Sequence, residues 1–274
     1  MPSTKHKIIF ASCEEMTELA DQSVQLMVTS PPYFNAPFDY EGFYSSYDRF
    51  IDVMRAFASE TYRVLQQGRI AVVNCDDMLV EGEKYPVVAD MTRIFMDAGF
   101  RYRDKIIWRK PDGYIRISRR SGIVLQHPFP MYFYPDNLQE SLLIFQKGKF
   151  DYKSVTAETK ENSRIDVKKY NEERWNITVW NMVNRLPHKN RETDYVYPAA
   201  FPDELPRRII TLYSYKGETV LDPFMGSGTT AKVARELDRN SVGYELDDKL
   251  QDLIQQNFGS NGHRNGLRFV RRKA

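Results

Sequence analysis

The stretch that decides the fold is Val220-Leu221-Asp222-Pro223-Phe224-Met225-Gly226-Ser227-Gly228-Thr229-Thr230, followed by Gly243-Tyr244-Glu245. Its apolar start predicts a buried strand that carries Asp222 at its carboxyl end. Gly226 and Gly228 then allow a tight turn and a close approach of backbone to ligand, and a helix is predicted from about Thr229. The next strand ends at Glu245, whose carboxylate can accept hydrogen bonds from ribose hydroxyls. The stretch therefore predicts a nucleotide-binding unit.

The loop departs from the two commonest nucleotide-binding patterns. A phosphate-binding loop needs Lys after its last glycine, but Thr229 follows Gly228, and a dinucleotide fingerprint needs a third glycine where Ala231 stands. Asp222 would also repel a pyrophosphate. It would instead favour a cation, such as the ammonium and sulfonium groups of S-adenosylmethionine. The loop therefore favours S-adenosylmethionine over ATP or a dinucleotide.

A second stretch, near the start of the chain, predicts a stiff turn. Residues 24–28 are largely apolar and indicate a short strand, which Pro31 and Pro32 stop because neither can donate to a ladder. The turn carries the Ser30 hydroxyl, the Pro31 carbonyl and the Tyr33 ring. A polar edge beside a stacking ring suits a planar base held by its amino group. Taken alone, the stretch is more typical of an ordinary strand-terminating turn than of a site.

Length and composition indicate a globular chain without a membrane span. The chain has 274 residues, of which 42% are hydrophobic and 28% charged. This fits one large domain, or a core with an inserted part. Two cysteines, Cys13 and Cys75, form neither a disulfide framework nor a metal-ligand cluster. The expectation is therefore a reducing cytosol and no metal.

The net charge of +2 conceals an uneven distribution. Residues 101–122 carry a net charge of +6 and residues 147–191 one of +5, so the rest of the chain is acidic. Two basic segments on an acidic body fit a polyanion bound on one side, although a solvated charged surface is the alternative.

Hydrophobic periodicity predicts alternating strands and helices. Strands are predicted at 7–10, 24–28, 69–74, 105–108, 141–145, 219–221 and 241–244, and helices at 14–19, 47–66, 85–98, 203–213, 229–237 and 247–257. This alternation predicts an α/β fold with a mostly parallel sheet and helices on both faces. The aromatic-rich residues 34–47 are interpreted as a lid over the Ser30 turn, with packing into the core as the alternative.

The order of these motifs resembles a known family, the amino-group DNA methyltransferases in their permuted β arrangement. Residues 29–33 are similar to its catalytic motif, residues 195–206 to the segment before its cofactor strand, residues 222–230 to its cofactor loop, and Glu245 to its ribose-binding acid. One departure is Ser12, which stands where many relatives carry an aspartate facing the adenine. The resemblance covers nearly the whole chain except about 149–190, where such enzymes carry their target-recognition region.

The resemblance implies a Rossmann-like methyltransferase fold with an inserted target-recognition region. Residues 1–148 would form the catalytic half, 149–190 the target-recognition region, and 191–274 the cofactor half. The cofactor would be S-adenosylmethionine, bound by Ser12, Phe201, Asp222, Pro223, Phe224, Gly226, Ser227, Gly228, Thr229 and Glu245. The catalytic residues would be Ser30, Pro31, Pro32 and Tyr33, with Tyr33 or Phe34 stacking on the base. DNA phosphates would be bound by Arg109, Lys110, Arg116, Arg119 and Arg120.

The resemblance further implies double-stranded DNA as substrate, in the cytoplasm of a prokaryotic cell or encoded by a phage. It allows for a cognate restriction endonuclease and for a homodimer. Serine at position 30 favours cytosine N4 as the methylated atom, with adenine N6 as the alternative. Methylation of cytosine C5 is disfavoured because that chemistry needs a nucleophilic cysteine. A non-catalytic module that binds S-adenosylmethionine or DNA, and an RNA or protein methyltransferase, are the competing hypotheses.

Overall fold

The computed structural model describes residues 4–35, 42–111, 123–133, 135, 137–182, 201–259 and 266–272. The strands in these residues are β1 (His6–Phe10), β2 (Val24–Thr29), β3 (Leu65–Cys75), β4 (Met78–Val80), β5 (Glu83–Tyr85), β6 (Arg101–Arg109), β7 (Gln139–Gln146), β8 (Val179–Asn181), β9 (Thr219–Asp222), β10 (Asn240–Glu245) and β11 (Leu267–Arg271). The helices are α1 (Tyr47–Val64), α2 (Val87–Asp97), α3 (Ile123–Gln126), α4 (Ala157–Asn162), α5 (Val167–Glu172), α6 (Glu204–Tyr213), α7 (Thr229–Glu236) and α8 (Gln251–Asn257).

One sheet of nine strands, in the order β11-β1-β10-β9-β2-β3-β7-β6-β8, forms the centre of the molecule. Within the described residues every neighbouring pair is parallel except the two pairs made by β7, which runs against β3 and β6. The carboxyl ends of β1, β10, β9, β2, β3 and β6 therefore meet at one edge of the sheet. This is where an open α/β sheet places its ligands.

Both faces of the sheet are buried, as the alternation in the sequence predicts. Because successive side chains of a strand point to opposite faces, Met27 packs with α1 and α2, whereas Leu26 and Val28 pack with α6 and α7. The Rossmann-like fold expected from the sequence is thereby confirmed. None of the helices in the described parts of the chain has the length and apolar character that a membrane span requires.

The junction of α1 and β3 differs from the sequence prediction. The helix predicted to reach residue 66 ends at Val64, and β3 begins directly at Leu65 instead of at the predicted residue 69, so Gly68 lies inside the strand. Gly68 has a φ of +82°, and a Cβ at this position would meet the Phe150 Cα at 2.5 Å. A glycine is therefore needed here, because the segment that follows β7 passes too close to β3 for a side chain. Residues 14–19 also form no helix: the segment has short turns, with one backbone hydrogen bond of 3.0 Å from the Leu19 N–H to the Met16 carbonyl.

The described part of the 149–190 region is joined to the central sheet. Its strand β8 pairs with β6, and Trp180 is buried against the sheet. The Arg208 guanidinium of α6 lies 5.4 Å from the centre of the Trp175 ring and 5.2 Å from that of Trp180. Helices α4 and α5, by contrast, have no buried residue. The role of this region in target recognition stays a prediction.

Candidate active site

The two motifs of the sequence meet on adjacent strands. Strand β2 pairs with β9 through Leu26–Val220 and Met27–Leu221. At the ends of these strands, the Thr29 hydroxyl donates a hydrogen bond of 2.6 Å to Asp222 Oδ1. Two stretches that are 193 residues apart in the chain are thus in direct contact.

A cavity of about 390 Å³ opens where the motifs meet. This volume lies within the roughly 300–1,000 Å³ of typical small-molecule sites. Its lining includes all the predicted catalytic residues, which are Ser30, Pro31, Pro32 and Tyr33. It also includes nine predicted cofactor residues, which are Ser12, Phe201, Asp222, Pro223, Phe224, Gly226, Ser227, Thr229 and Glu245.

Gly228 differs from the other predicted cofactor residues because it does not line the cavity. It precedes α7 with a φ of +84°, and a Cβ there would lie 3.4 Å from side-chain atoms of Ile254 and Met225. Gly228 therefore lets the chain turn into α7 while it packs against the side chains of Ile254 and Met225.

Asp222 presents a buried carboxylate to the cavity. Only 3% of the residue is exposed, and Oδ1 accepts hydrogen bonds from the Thr29 hydroxyl and from the Phe224 N–H. Burial raises the pKa of Asp222 to about 6, and the hydrogen bonds from neighbouring hydroxyls and the backbone oppose this rise. A carboxylate in so dry a position gains much from a cationic ligand, because Coulomb attraction is weakly screened there.

Glu245 lies at the end of the neighbouring strand β10. Its carboxylate oxygens accept the N–H groups of Gly226 and Asp247, each at 2.9 Å, and burial raises the pKa of the carboxyl group. These bonds orient the group and use two of its roughly four acceptor positions, so that others can accept ligand hydroxyls. Gly226 has a φ of +50°, and a Cβ there would meet nothing within 4 Å. This open space lets a ligand approach the backbone closely.

The apolar wall of the cavity is a feature that sequence reasoning missed. Leu246, Leu250 and Leu253 follow Glu245 and line the site. Their spacing of four and three residues, from the end of β10 into α8, is the signal that could have revealed them. The cavity lining thus contains apolar side chains as well as the Glu245 carboxylate.

An ion pair at the cavity also went unpredicted. Arg49 Nη2 donates to Glu14 Oε2 at 2.9 Å, and both residues line the site. Ser12 lies beside them, where its hydroxyl bonds with the Glu14 carboxylate and accepts the Glu14 N–H, each at 3.2 Å. Contact of Ser12 with the cofactor stays a prediction.

Most of the described aromatic residues after the Ser30 turn pack into the core, as in the alternative, whereas Phe43 is 48% exposed and lines the cavity together with Tyr44, so the lid interpretation stays a prediction. Phe34 is buried in contact with the rings of Tyr47, Phe50 and Tyr85, and is not available to stack on a base. Tyr44 is buried as well, and Asn35 pairs with its backbone through two hydrogen bonds of 2.7 and 2.9 Å. Residues 36–41 lie outside the described part of the chain.

One predicted phosphate-binding residue is contradicted. Lys110 is 2% exposed, and its ammonium group bonds with Glu140 at 2.6 Å and lies 3.3 Å above the Trp108 ring. The prediction failed because lysine in a basic segment is by default a surface residue. Arg109, the last residue of β6, is exposed. The other three predicted contacts, Arg116, Arg119 and Arg120, lie outside the described residues.

Comparison with known proteins shows the family of the chain. The model of the N6/N4 family described as DNA methylase matches residues 24–256. The type II methyltransferase M.MjaI of Methanocaldococcus jannaschii is 33% identical over 97% of this chain and 95% of its own length. M.MthZI of Methanothermobacter thermautotrophicus is also 33% identical, over 92% of this chain and 76% of its own length.

Solved structures show the same architecture. TTHA0409 of Thermus thermophilus, a putative DNA modification methylase crystallised with S-adenosylmethionine, has a TM-score of 0.74 and 25% identity over 97% of this chain and 99% of its own. The PvuII cytosine-N4-specific DNA methyltransferase has a TM-score of 0.68 over 94% of this chain and 88% of its own, at 17% identity, and supports the fold alone.

The family model and the relatives define the class of protein as a methyltransferase, and the cavity at the carboxyl edge of the sheet is its candidate active site. The chain belongs to the family of S-adenosylmethionine-dependent DNA methyltransferases that act on exocyclic amino groups, cytosine N4 or adenine N6.

Proposed function

We propose that the chain transfers a methyl group to N4 of a cytosine that has been turned out of double-stranded DNA. The observation that carries this proposal is the position of Ser30 in the same cavity as Asp222 and Glu245. Serine at the start of the catalytic turn favours cytosine, since relatives that act on adenine tend to carry Asp or Asn there. Adenine N6 is the alternative, because its amino group has the same geometry.

The catalytic turn would act by accepting hydrogen bonds. The lone pair of an exocyclic amino nitrogen is delocalised into its ring, which makes the nitrogen a poor nucleophile. The Ser30 hydroxyl and the Pro31 carbonyl would accept its two hydrogens and turn the lone pair out of the ring plane. The nitrogen would take the methyl group as the S–C bond of the sulfonium breaks, which leaves a neutral thioether, and it would release a proton to water only after it has gained the methyl group. A neutral hydroxyl is therefore sufficient at Ser30, and positioning supplies much of the rate.

The cofactor half of the cavity fits S-adenosylmethionine. When bound, the cofactor supplies an electrophilic methyl carbon on a sulfonium. Asp222 would hold its cationic part, Glu245 would accept the ribose hydroxyls, and Leu246, Leu250 and Leu253 would contact the adenine. The open space at Gly226 would let the cofactor approach the backbone.

The DNA must deliver the base to Ser30, which costs a few kcal/mol of lost pairing and stacking. Arg109 and the basic segments at 101–122 and 147–191 would contact phosphates, and residues 149–190 would contribute to target recognition. The type II methyltransferase names of the relatives support a cognate restriction endonuclease as a partner. A homodimer is a further expectation of the family resemblance.

Mass spectrometry of nucleosides from methylated DNA tests the target base. We expect N4-methylcytosine; N6-methyladenine would support the alternative, and neither product would refute the proposal. Ser30→Ala should abolish methyl transfer while calorimetry still detects S-adenosylmethionine binding. Asp222→Ala should instead lose cofactor affinity. Ser23→Ala, just before the same strand, is the matched control and should keep the wild-type rate; full activity of Ser30→Ala would refute the mechanism.

A further inference from the structure

A buried polar network adjoins the predicted catalytic hydroxyl. Asn74, near the carboxyl end of β3, donates from Nδ2 to Glu140 Oε2 at 2.6 Å and to Ser30 Oγ at 3.3 Å. The other oxygen of Glu140 accepts the Lys110 ammonium at 2.6 Å. Asn74, Glu140 and Lys110 are each at most 6% exposed.

This network is costly for the fold and is not needed to pair the strands. Strands β3, β7 and β6 are joined by backbone hydrogen bonds in continuous register around Asn74 and Glu140. A buried ion pair loses hydration worth several kcal/mol per ion, and apolar residues of similar size often stabilise a core at least as well. Two charges and an amide in this position, beside Ser30, therefore point to a role in the site.

The network determines the orientation of the amide. A carboxylate only accepts hydrogen bonds, so Glu140 holds the nitrogen of Asn74 towards itself, and the second N–H of that nitrogen faces Ser30. Lys110 balances the charge of Glu140 and fixes its position. The Asn74 Oδ1 atom has no hydrogen-bond partner among the described residues, whereas an amide that served only the core would be expected to have both ends satisfied.

The direction of the bond to Ser30 has a chemical consequence. A serine hydroxyl has two acceptor positions and one proton, and it rotates to suit its surroundings. An N–H donated by Asn74 occupies one acceptor position and restricts this rotation, which leaves the other acceptor position in a defined direction. An amide N–H cannot take a proton from Ser30, so the network can orient the hydroxyl but does not relay its proton to Glu140.

We propose that Asn74, held by the Glu140–Lys110 ion pair, is a positioning residue that orients the Ser30 hydroxyl as an acceptor for the target amino group. This inference rests on the proposed function of Ser30. It assigns Glu140 and Lys110 to the support of the active site and removes Lys110 from the DNA-binding surface.

The test is single-turnover methyl transfer by the full-length variants Glu140→Gln and Asn74→Leu. Since a misplacement of about 1 Å can cost about a hundredfold in rate, we expect each variant to be about ten- to a hundredfold slower. The dissociation constant for S-adenosylmethionine should stay within twofold of wild type, because the cofactor binds on the other side of Ser30. The transfer rate of Glu140→Gln should depend on pH as that of the wild type does, but the rate should be lower at every pH.

Glu218→Gln is the matched control. It weakens the partly buried ion pair between Glu218 and Arg69, near the opposite, amino edge of the sheet. We expect a comparable loss of stability with an unchanged transfer rate. A rate loss in this control as large as in Glu140→Gln would reduce the effect to general destabilisation and overturn the proposal.

Three other results would overturn it. The first is a wild-type rate in both site variants. The second is a folded site variant that no longer binds S-adenosylmethionine. The third is the loss of one limb of the rate–pH profile in Glu140→Gln, because this would make Glu140 a proton acceptor. If Asn74→Leu does not fold, the nearly isosteric Glu140→Gln decides alone. An active Ser30→Ala refutes the proposed function itself, whereas an inactive Ser30→Ala beside normal Asn74 and Glu140 variants refutes only this inference.

Discussion

The contact between Thr29 and Asp222 gives the sharpest test of how the two motifs depend on each other. Thr29→Val keeps the shape of a fully buried side chain and removes the hydroxyl that donates 2.6 Å to Asp222 Oδ1. Because a hydrogen bond to a charged group contributes about 1.5–3 kcal/mol, the variant should lose this much free energy of unfolding near pH 8. For a chain of this size that corresponds to a fall in Tm of roughly 2–4 °C per kcal/mol.

The loss should depend on pH through the ionisation of Asp222. The folded-state pKa of this carboxyl is raised by burial to about 6, so its protonated form is favoured by folding, and stability falls as the pH rises from the unfolded value towards 6. Loss of the Thr29 bond removes stabilisation of the ionised form. One pKa unit corresponds to about 1.36 kcal/mol, so the loss of about 1.5 kcal/mol raises the pKa of Asp222 by about one unit. The destabilisation of Thr29→Val should therefore be smaller at pH 5 than at pH 8.

Cofactor affinity should show the same shift. A cationic ligand binds the ionised form of Asp222, so the affinity of the wild-type chain should increase with pH, with a midpoint near pH 6. In Thr29→Val the midpoint should lie about one pH unit higher. Isothermal titration calorimetry with S-adenosylmethionine between about pH 5 and pH 8.5 measures both curves, and Asp222→Asn should lack this transition.

Thr61→Val is the matched control, since Thr61 is equally buried and its hydroxyl has no hydrogen-bond partner within the described residues. Its substitution should be neutral or slightly stabilising. The reasoning is refuted if Thr29→Val is as stable as Thr61→Val and binds S-adenosylmethionine with the wild-type dependence on pH.

Three further variants probe the cofactor loop and the attachment of the 149–182 region. Gly243→Ala would bring a Cβ to 2.3 Å from the Met225 Sδ, so the Met225 side chain, which lines the cavity, must move; calorimetry should show weaker S-adenosylmethionine binding, and unchanged affinity would contradict this. Glu245→Gln should weaken binding of the cofactor but not of its 2′-deoxyribose analogue, and equal losses for both would argue against ribose contact. Arg208→Met should lower the free energy of unfolding in urea by about 2–4 kcal/mol, because it removes a buried cation between two tryptophan rings; the more exposed Arg207→Met should cost under about 1 kcal/mol.

The sequence predicted those parts of the fold whose causes are local. Pro31 and Pro32 end a strand wherever they occur, and Gly226 permits a turn that other residues rarely adopt. Such rules located the ends of β2 and β9 and hence the two motifs. Order along the chain then indicated that the motifs share a site, and the pairing of β2 with β9 confirmed their proximity.

Other parts could not be predicted because their causes are distant in sequence. Strand β8 has three residues and β11 has five, and each is stabilised by its partner strand instead of by its own pattern. Glycine often follows the end of a helix, but at Gly68 a glycine is needed because the backbone of Phe150 lies so close. The burial of Lys110 likewise depends on Glu140, a residue 30 positions away that β7 brings beside it.

The position of β2 between the two halves of the sheet links these observations. On one side Thr29 bonds with Asp222 of β9, and on the other side Ser30 accepts a hydrogen bond from Asn74 of β3. Thr29 and Ser30, which are consecutive residues at the end of β2, thus contact the proposed cofactor half and the proposed target half of the site. Under the proposed function, a single peptide unit would connect the groups that hold the methyl donor and its acceptor, and the prolines that follow stiffen that unit. Since transfer by in-line displacement depends strongly on the separation of donor and acceptor, the rigidity of residues 29–32 would then contribute to the rate.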